Sequence, residues 1–172
     1  GVWGGKAPVP RYKVPEGFEN PYYKGEPSDP NDREYLISHY DGNINYADKH
    51  LGEILQTIDE MGITEKTAII FTSDHGENLG EEHPGANSAK FGQEPLLKGV
   101  WDHPDAYEPV IRVPLIIKTP EKTPVGKAEA LVQSVDVSAT ILDLLGIELP
   151  PDLDGKSLLP LMRGEAKEWY PE

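Results

Sequence analysis

The chain has 172 residues, enough for one domain with a core and too few for two comfortable ones. Its net charge of −14, from 16 basic and 30 acidic residues, argues against nucleic acid as a partner, because phosphate backbones are bound through clustered Lys and Arg. No apolar run reaches the roughly 18 residues of a membrane span, no basic-then-apolar leader opens the sequence, and the lack of cysteine excludes disulfides while leaving the compartment open.

Residues 1–31 carry Pro8, Pro10, Pro15, Pro21, Pro27 and Pro30 and read as an extended Pro/Gly-rich segment. Between Asp32 and Met61, apolar residues from Leu36 and Ile37 to Ile58 and Met61 recur every three or four positions, which predicts one long helix. Asn31 or Asp32 can cap it, Gly62 can end it, and Gly42 can kink it; His39 and His50 are expected on its exposed side. Ala68, Ile69, Ile70 and Phe71 then form a continuous apolar run, which suits a strand covered on both faces in an α/β sheet flanked by helices. A long polar stretch from Asn78 to Asp105 reads as a loop of the kind that is either functional or disordered, and Val113 to Ile117 as a second buried strand. Glu108 and Arg112 are placed to form a structural salt bridge. Residues 135–146 predict a short helix with a polar cap and a terminal glycine.

The first strand ends in Asp74 and His75, followed by Gly76, which permits a turn that other residues resist. In α/β sheets ligands bind where strands end. Adjacent Asp and His on a loop can aim a hard oxygen and an imidazole nitrogen at one cation, so both are candidate metal ligands. An ordinary polar turn, with Asp74 capping a helix and His75 solvated, accounts for the same spacing.

The segment Ser73-Asp74-His75-Gly76-Glu77, followed by Leu79-Gly80-Glu81 and His83, resembles the S-D-H-G-E segment of the sulfatases, within the alkaline phosphatase superfamily. Further stretches are similar to that family in the same order. These are Pro8 to Pro15, where Val9 stands in place of a frequent histidine, Tyr40 to Asp48, Tyr107-Glu108 with Arg112-Val113-Pro114, Val135-Asp136 with Thr140, and Asp154-Gly155 with Ser157-Leu158.

The resemblance implies an α/β fold, a mixed sheet flanked by helices of the alkaline phosphatase type, present here in incomplete form over residues 32–172. It implies a sulfatase that holds a divalent cation through Asp74 and His75, most often Ca2+, with Mn2+, Zn2+ or Mg2+ as alternatives. His103 takes the place of a basic residue that contacts the sulfate, Lys98 competes for that place if an insertion shifts the register, and His83 can serve as an outer acid. The partner implied is a small-molecule or carbohydrate sulfate ester. The family's nucleophile is a formylglycine made from Cys or Ser in C/S-x-P-x-R, and this sequence contains no such motif. The chain is therefore expected to be the later part of a catalytic domain, inactive without a missing N-terminal part. A phosphodiesterase, phosphonate hydrolase or phosphoethanolamine transferase of the same superfamily, or a non-catalytic domain retaining the fold, remain open alternatives.

Overall fold

The computed structural model describes residues 33–81, 100–103, 106–120 and 123–170. The extended segment expected over residues 1–31 and the candidates His83 and Lys98 lie outside them. The chain divides into two compact units, Gly1–Lys118 and Thr119–Glu172.

In the first unit the apolar periodicity produces helix α1, Arg33–Glu60. It runs through the buried Gly42 without a break: a lone glycine weakens a helix without removing a backbone hydrogen bond. Leu36 and Ser38 are buried near its start, whereas Ile54 and Met61 near its end are exposed. The start of α1 meets strand β2, Asn78–Glu81, where the Arg33 guanidinium donates to the Leu79 carbonyl at 2.9 Å. His39 and His50 are half-buried, not exposed as expected; His50 lies against the Tyr46 ring and Glu53.

Strand β1, Ile69–Thr72, pairs antiparallel with β4, Leu115–Lys118, setting Ile69 opposite Lys118 and Thr72 opposite Leu115. The Lys118 ammonium donates to the carbonyls of Thr64 and Thr67, tying the end of β4 to the turn before β1. The strands are less covered than their composition predicts: Ile69 and Ile70 are half-buried, and Phe71 and Ile116 are exposed. Among the described residues the ladder has two strands, so each is an edge strand.

The stretch expected as one long loop has structured ends. Strand β2 pairs antiparallel with β3, Val100–Asp102, with Asn78 opposite Asp102 and an irregularity between Leu79 and Glu81. A one-turn helix, α2 (Glu108–Ile111), precedes β4 and buries Val110. Both ladders among the described residues are antiparallel.

The second unit carries α3, Val135–Leu144, and the one-turn helix α4, Leu159–Met162. Ala139, Leu158 and Leu159 are its buried apolar residues. Ser134 makes no side-chain cap bond, contrary to the expected polar cap. The fully buried Asp136, in the first turn, instead ties the helix start to its surroundings, accepting from the backbone N–H of Gln133 at 2.9 Å and of Lys156 at 2.8 Å. No helix among the described residues is long and apolar enough to cross a membrane.

Candidate metal site

Residues 73–77 leave β1 and enter β2 through a turn fixed by its own polar groups. The Ser73 hydroxyl donates to the His75 carbonyl at 2.7 Å, and Asp74 Oδ1 accepts from the His75 backbone N–H at 3.0 Å. The turn is docked on α2: Gly76 N–H donates to the Val110 carbonyl at 2.6 Å and Glu77 N–H to the Pro109 carbonyl at 3.1 Å. A Cβ on Gly76 would stand 1.9 Å from the Pro109 oxygen, so only glycine permits this approach.

That docking sets the imidazole of His75. Its Nδ1 lies 2.7 Å from the Gly76 carbonyl, which can only accept, so Nδ1 donates there and Nε2 is the ring nitrogen left to face an ion. Nε2 lies 3.7 Å from Asp74 Oδ2, the carboxylate oxygen not engaged by the turn. Asp74 is exposed, and its carboxyl is held below the ordinary carboxylate range by the His75 N–H first and by the charge of His75 second.

The β2–β3 ladder adds a second arm. Asn78 pairs with Asp102, so Glu77 and His103 are the next residues out across the end of the ladder. His103 Nδ1 lies 3.8 Å from Glu77 Oε1, and the His103 and His75 rings lie with centroids 3.9 Å apart. Glu77 is largely buried, its side chain 14% exposed. Its negative charge reaches Tyr40 on α1, whose phenol is pushed up by burial first, then by Glu77 and by Asp41. One donor atom each from His75, Glu77 and His103 falls within 4.8 Å of the others. Carboxylate oxygen and imidazole nitrogen in one cluster suit a divalent cation.

The structure thus brings together His75 and His103, two residues singled out by the sequence, with Asp74 alongside His75. Glu77 was not expected in a site. The signal for it was present in its position two residues after His75, but its partner across the ladder is 26 residues away and is visible only in the fold. The predicted salt bridge is also formed, with Arg112 3.2 Å from Glu108; both side chains are exposed, so its worth is small.

A family model described as Sulfatase matches residues 9–147. The chain is 38% identical over 136 residues to the multifunctional alkaline phosphatase superfamily protein PehA of Trinickia caryophylli, an alignment covering 77% of this chain and 23% of that protein. Among solved structures it is similar to the phosphonate monoester hydrolase SpPMH of Silicibacter pomeroyi, with a TM-score of 0.66, 33% identity, and coverage of 78% of this chain and 23% of that one. It is also similar to BT4656, solved in complex with its substrate D-glucosamine-2-N,6-O-disulfate, with a TM-score of 0.59, 28% identity and coverage of 81% and 25%. The chain spans about a quarter of the length of these proteins. Its fold is the corresponding part of the alkaline phosphatase-like α/β fold, with helices and small antiparallel ladders. With a matching family model over most of its length and the acidic and imidazole groups of its S-D-H-G-E segment gathered at one turn, this chain belongs to the sulfatase family of the alkaline phosphatase superfamily.

Proposed function

We propose that the chain supplies the metal-holding and anion-contacting part of a sulfuric ester hydrolase. The observation that carries this reading is the facing of Asp74 Oδ2 and His75 Nε2 at 3.7 Å on a turn locked against α2, in a chain of the sulfatase family. Two ligand atoms of one ion lie roughly 3 to 3.5 Å apart, so this pair needs little movement to share a cation. The cation, Ca2+ in this reading with Mn2+, Zn2+ or Mg2+ as alternatives, would lend positive charge against the sulfate oxygens.

The chain's own groups have separate tasks. Asp74 and His75 hold the cation. His103, with Lys98 as its competitor, steadies the sulfate or the leaving oxygen, and His83 serves as an outer acid. A net charge of −14 repels an anionic ester, so these cationic groups must reverse the field locally. The nucleophile, a formylglycine, comes from outside these 172 residues, and the chain alone is inactive. The ester is a small molecule or a carbohydrate; the disulfated glucosamine bound by BT4656 supports the latter.

A second reading has its own support, since SpPMH, 33% identical to this chain, is described as a phosphonate monoester hydrolase. Turnover of an aryl sulfate and of an aryl phosphonate by the intact protein separates the two. Sulfate release that falls by roughly 100-fold or more in Asp74→Ala and His75→Ala supports the first reading. Phosphonate turnover without sulfate release moves the assignment to the second. Hydrolysis untouched by both substitutions and by chelation overturns both.

A further inference from the structure

We infer that residues 167–170 form a strap that closes over the start of α3 as one unit, latched by Lys156 and Asp136, and that opens while α3 and the segment 154–158 stay in place. The groups concerned lie in the second unit, and apart from Asp136 they lie beyond residues 9–147, so the inference does not rest on the proposed function.

The base under the strap is held without it. Gly155 is buried against α3, where a Cβ would stand 2.2 Å from the Val135 oxygen and 3.0 Å from the Asp136 nitrogen, both backbone atoms. The Lys156 N–H donates to Asp136 and the Leu158 N–H to the buried Thr140 hydroxyl. The root of the strap is fixed as well. Gly164, at a φ of 76°, follows α4, and the N–H groups of Glu165 and Ala166 donate to the Pro160 carbonyl at 2.9 and 3.3 Å.

Beyond Ala166 the contacts change in kind. Among the described residues no backbone pairs with backbone over residues 167–170, and Lys167 and Glu168 are exposed. Side chains hold the strap instead. The Tyr170 hydroxyl donates to Asp136 Oδ1 at 2.7 Å. The Lys156 ammonium donates to the Trp169 carbonyl at 3.2 Å and lies 4.3 Å from the centroid of the Tyr170 ring and 5.8 Å from that of Trp169. Both anchors grip the same two consecutive residues, so neither keeps its geometry once the other lets go.

Closure also leaves one group unmet. The Trp169 indole N–H is buried without a hydrogen-bond partner among the described residues. That penalty is of the same order as the gain from one hydrogen bond or one cation–π contact, and water removes it when the strap opens. Closed and open states are therefore close in free energy, the condition for local opening without global unfolding. Closed, the strap occupies the Asp136 carboxylate and the Lys156 ammonium; open, it leaves both to solvent at one place.

Fluorotryptophan is incorporated into the intact protein, and the Trp169 signal in fluorine NMR is identified by its loss in Trp169→Phe. A closed and an open population of that residue are expected. Lys156→Met removes the cation while keeping the backbone N–H, and Tyr170→Phe removes only the hydroxyl. Each is expected to raise the open-to-closed ratio by about 5-fold, whereas Lys156→Arg, which keeps a cation over the rings, stays near the parent. Hydrogen exchange at the Leu158 N–H is expected to keep the parent's rate in all three. A Trp169 signal unchanged by both Lys156→Met and Tyr170→Phe overturns the inference. So does a third, intermediate Trp169 signal in either variant, since one anchor would then hold without the other. Faster exchange at Leu158 in step with the opening at Trp169 overturns it too, because strap and base would then be one unit.

Discussion

Asp136 is fully buried and accepts three hydrogen bonds, from Gln133 N–H, Lys156 N–H and the Tyr170 hydroxyl at 2.7 Å. Replacing it with alanine leaves two backbone N–H groups without that acceptor, and the expected loss is roughly 2 to 4 kcal/mol of unfolding free energy in chemical denaturation. A loss below about 1 kcal/mol would show that water replaces the carboxyl. The same contact makes a pH prediction. The Tyr170 phenol is raised above its ordinary value of 10.0, first because it donates to Asp136 and then through burial. Since the folded value exceeds the unfolded one, the contribution is whole below the unfolded pKa and is lost as pH rises through the folded value. A tyrosinate absorbance titration should show a component above pH 10 that disappears in Tyr170→Phe. A second high component, from Tyr40, should remain.

At the level of elements, the Gly76 turn on α2 gives the sharpest test. Gly76→Ala places a Cβ 1.9 Å from the Pro109 oxygen and 3.0 Å from its carbon, both backbone atoms, so the turn must lift off and the Gly76–Val110 hydrogen bond must lengthen. The expected result is a lower Tm together with weaker divalent-ion binding, because His75 and Glu77 flank the displaced residue. A variant that melts earlier yet binds ions as the parent does would separate the turn from the site. Helix α1 was legible because an apolar stripe repeated over seven turns outweighs one glycine, and Asp74 and His75 were legible because their motif is contiguous. The β2–β3 ladder was not. Its strands are four and three residues long, too short to display alternation, and their pairing spans a long polar segment that reads as loop. Glu77 went unseen for that reason, since its neighbour in the cluster is set by register and not by sequence spacing. Asp136 was read inside a capped helix, but its second partner, Lys156, lies 20 residues on.

Across the whole chain, composition promises more burial than the described residues achieve. Leu36 and Val110 in the first unit, and Ala139, Leu158 and Leu159 in the second, are the described apolar residues that are buried, whereas Ile54, Met61, Phe71, Ile111, Ile116, Leu131 and Leu145 are exposed. Apolar burial contributes about 25 cal/mol per Å2, and ordering each residue costs on the order of 1 to 2 kcal/mol, so the described segments, with few closed side chains among them, gain little net stability from burial. The 172-residue chain by itself is therefore expected to unfold in urea with an m value below the roughly 1 to 3 kcal/mol/M of small compact proteins, and to bind a hydrophobic dye before the transition. Hydrogen exchange should be slowest at Leu158, whose N–H donates to the buried Thr140 hydroxyl at 2.9 Å, and faster along β1 and β4, where Phe71 and Ile116 face outward. An m value in the ordinary range with no dye binding would mean that these side chains are covered in solution. The same measurements on a longer protein containing this chain would then show no further rise in protection at β1 and β4.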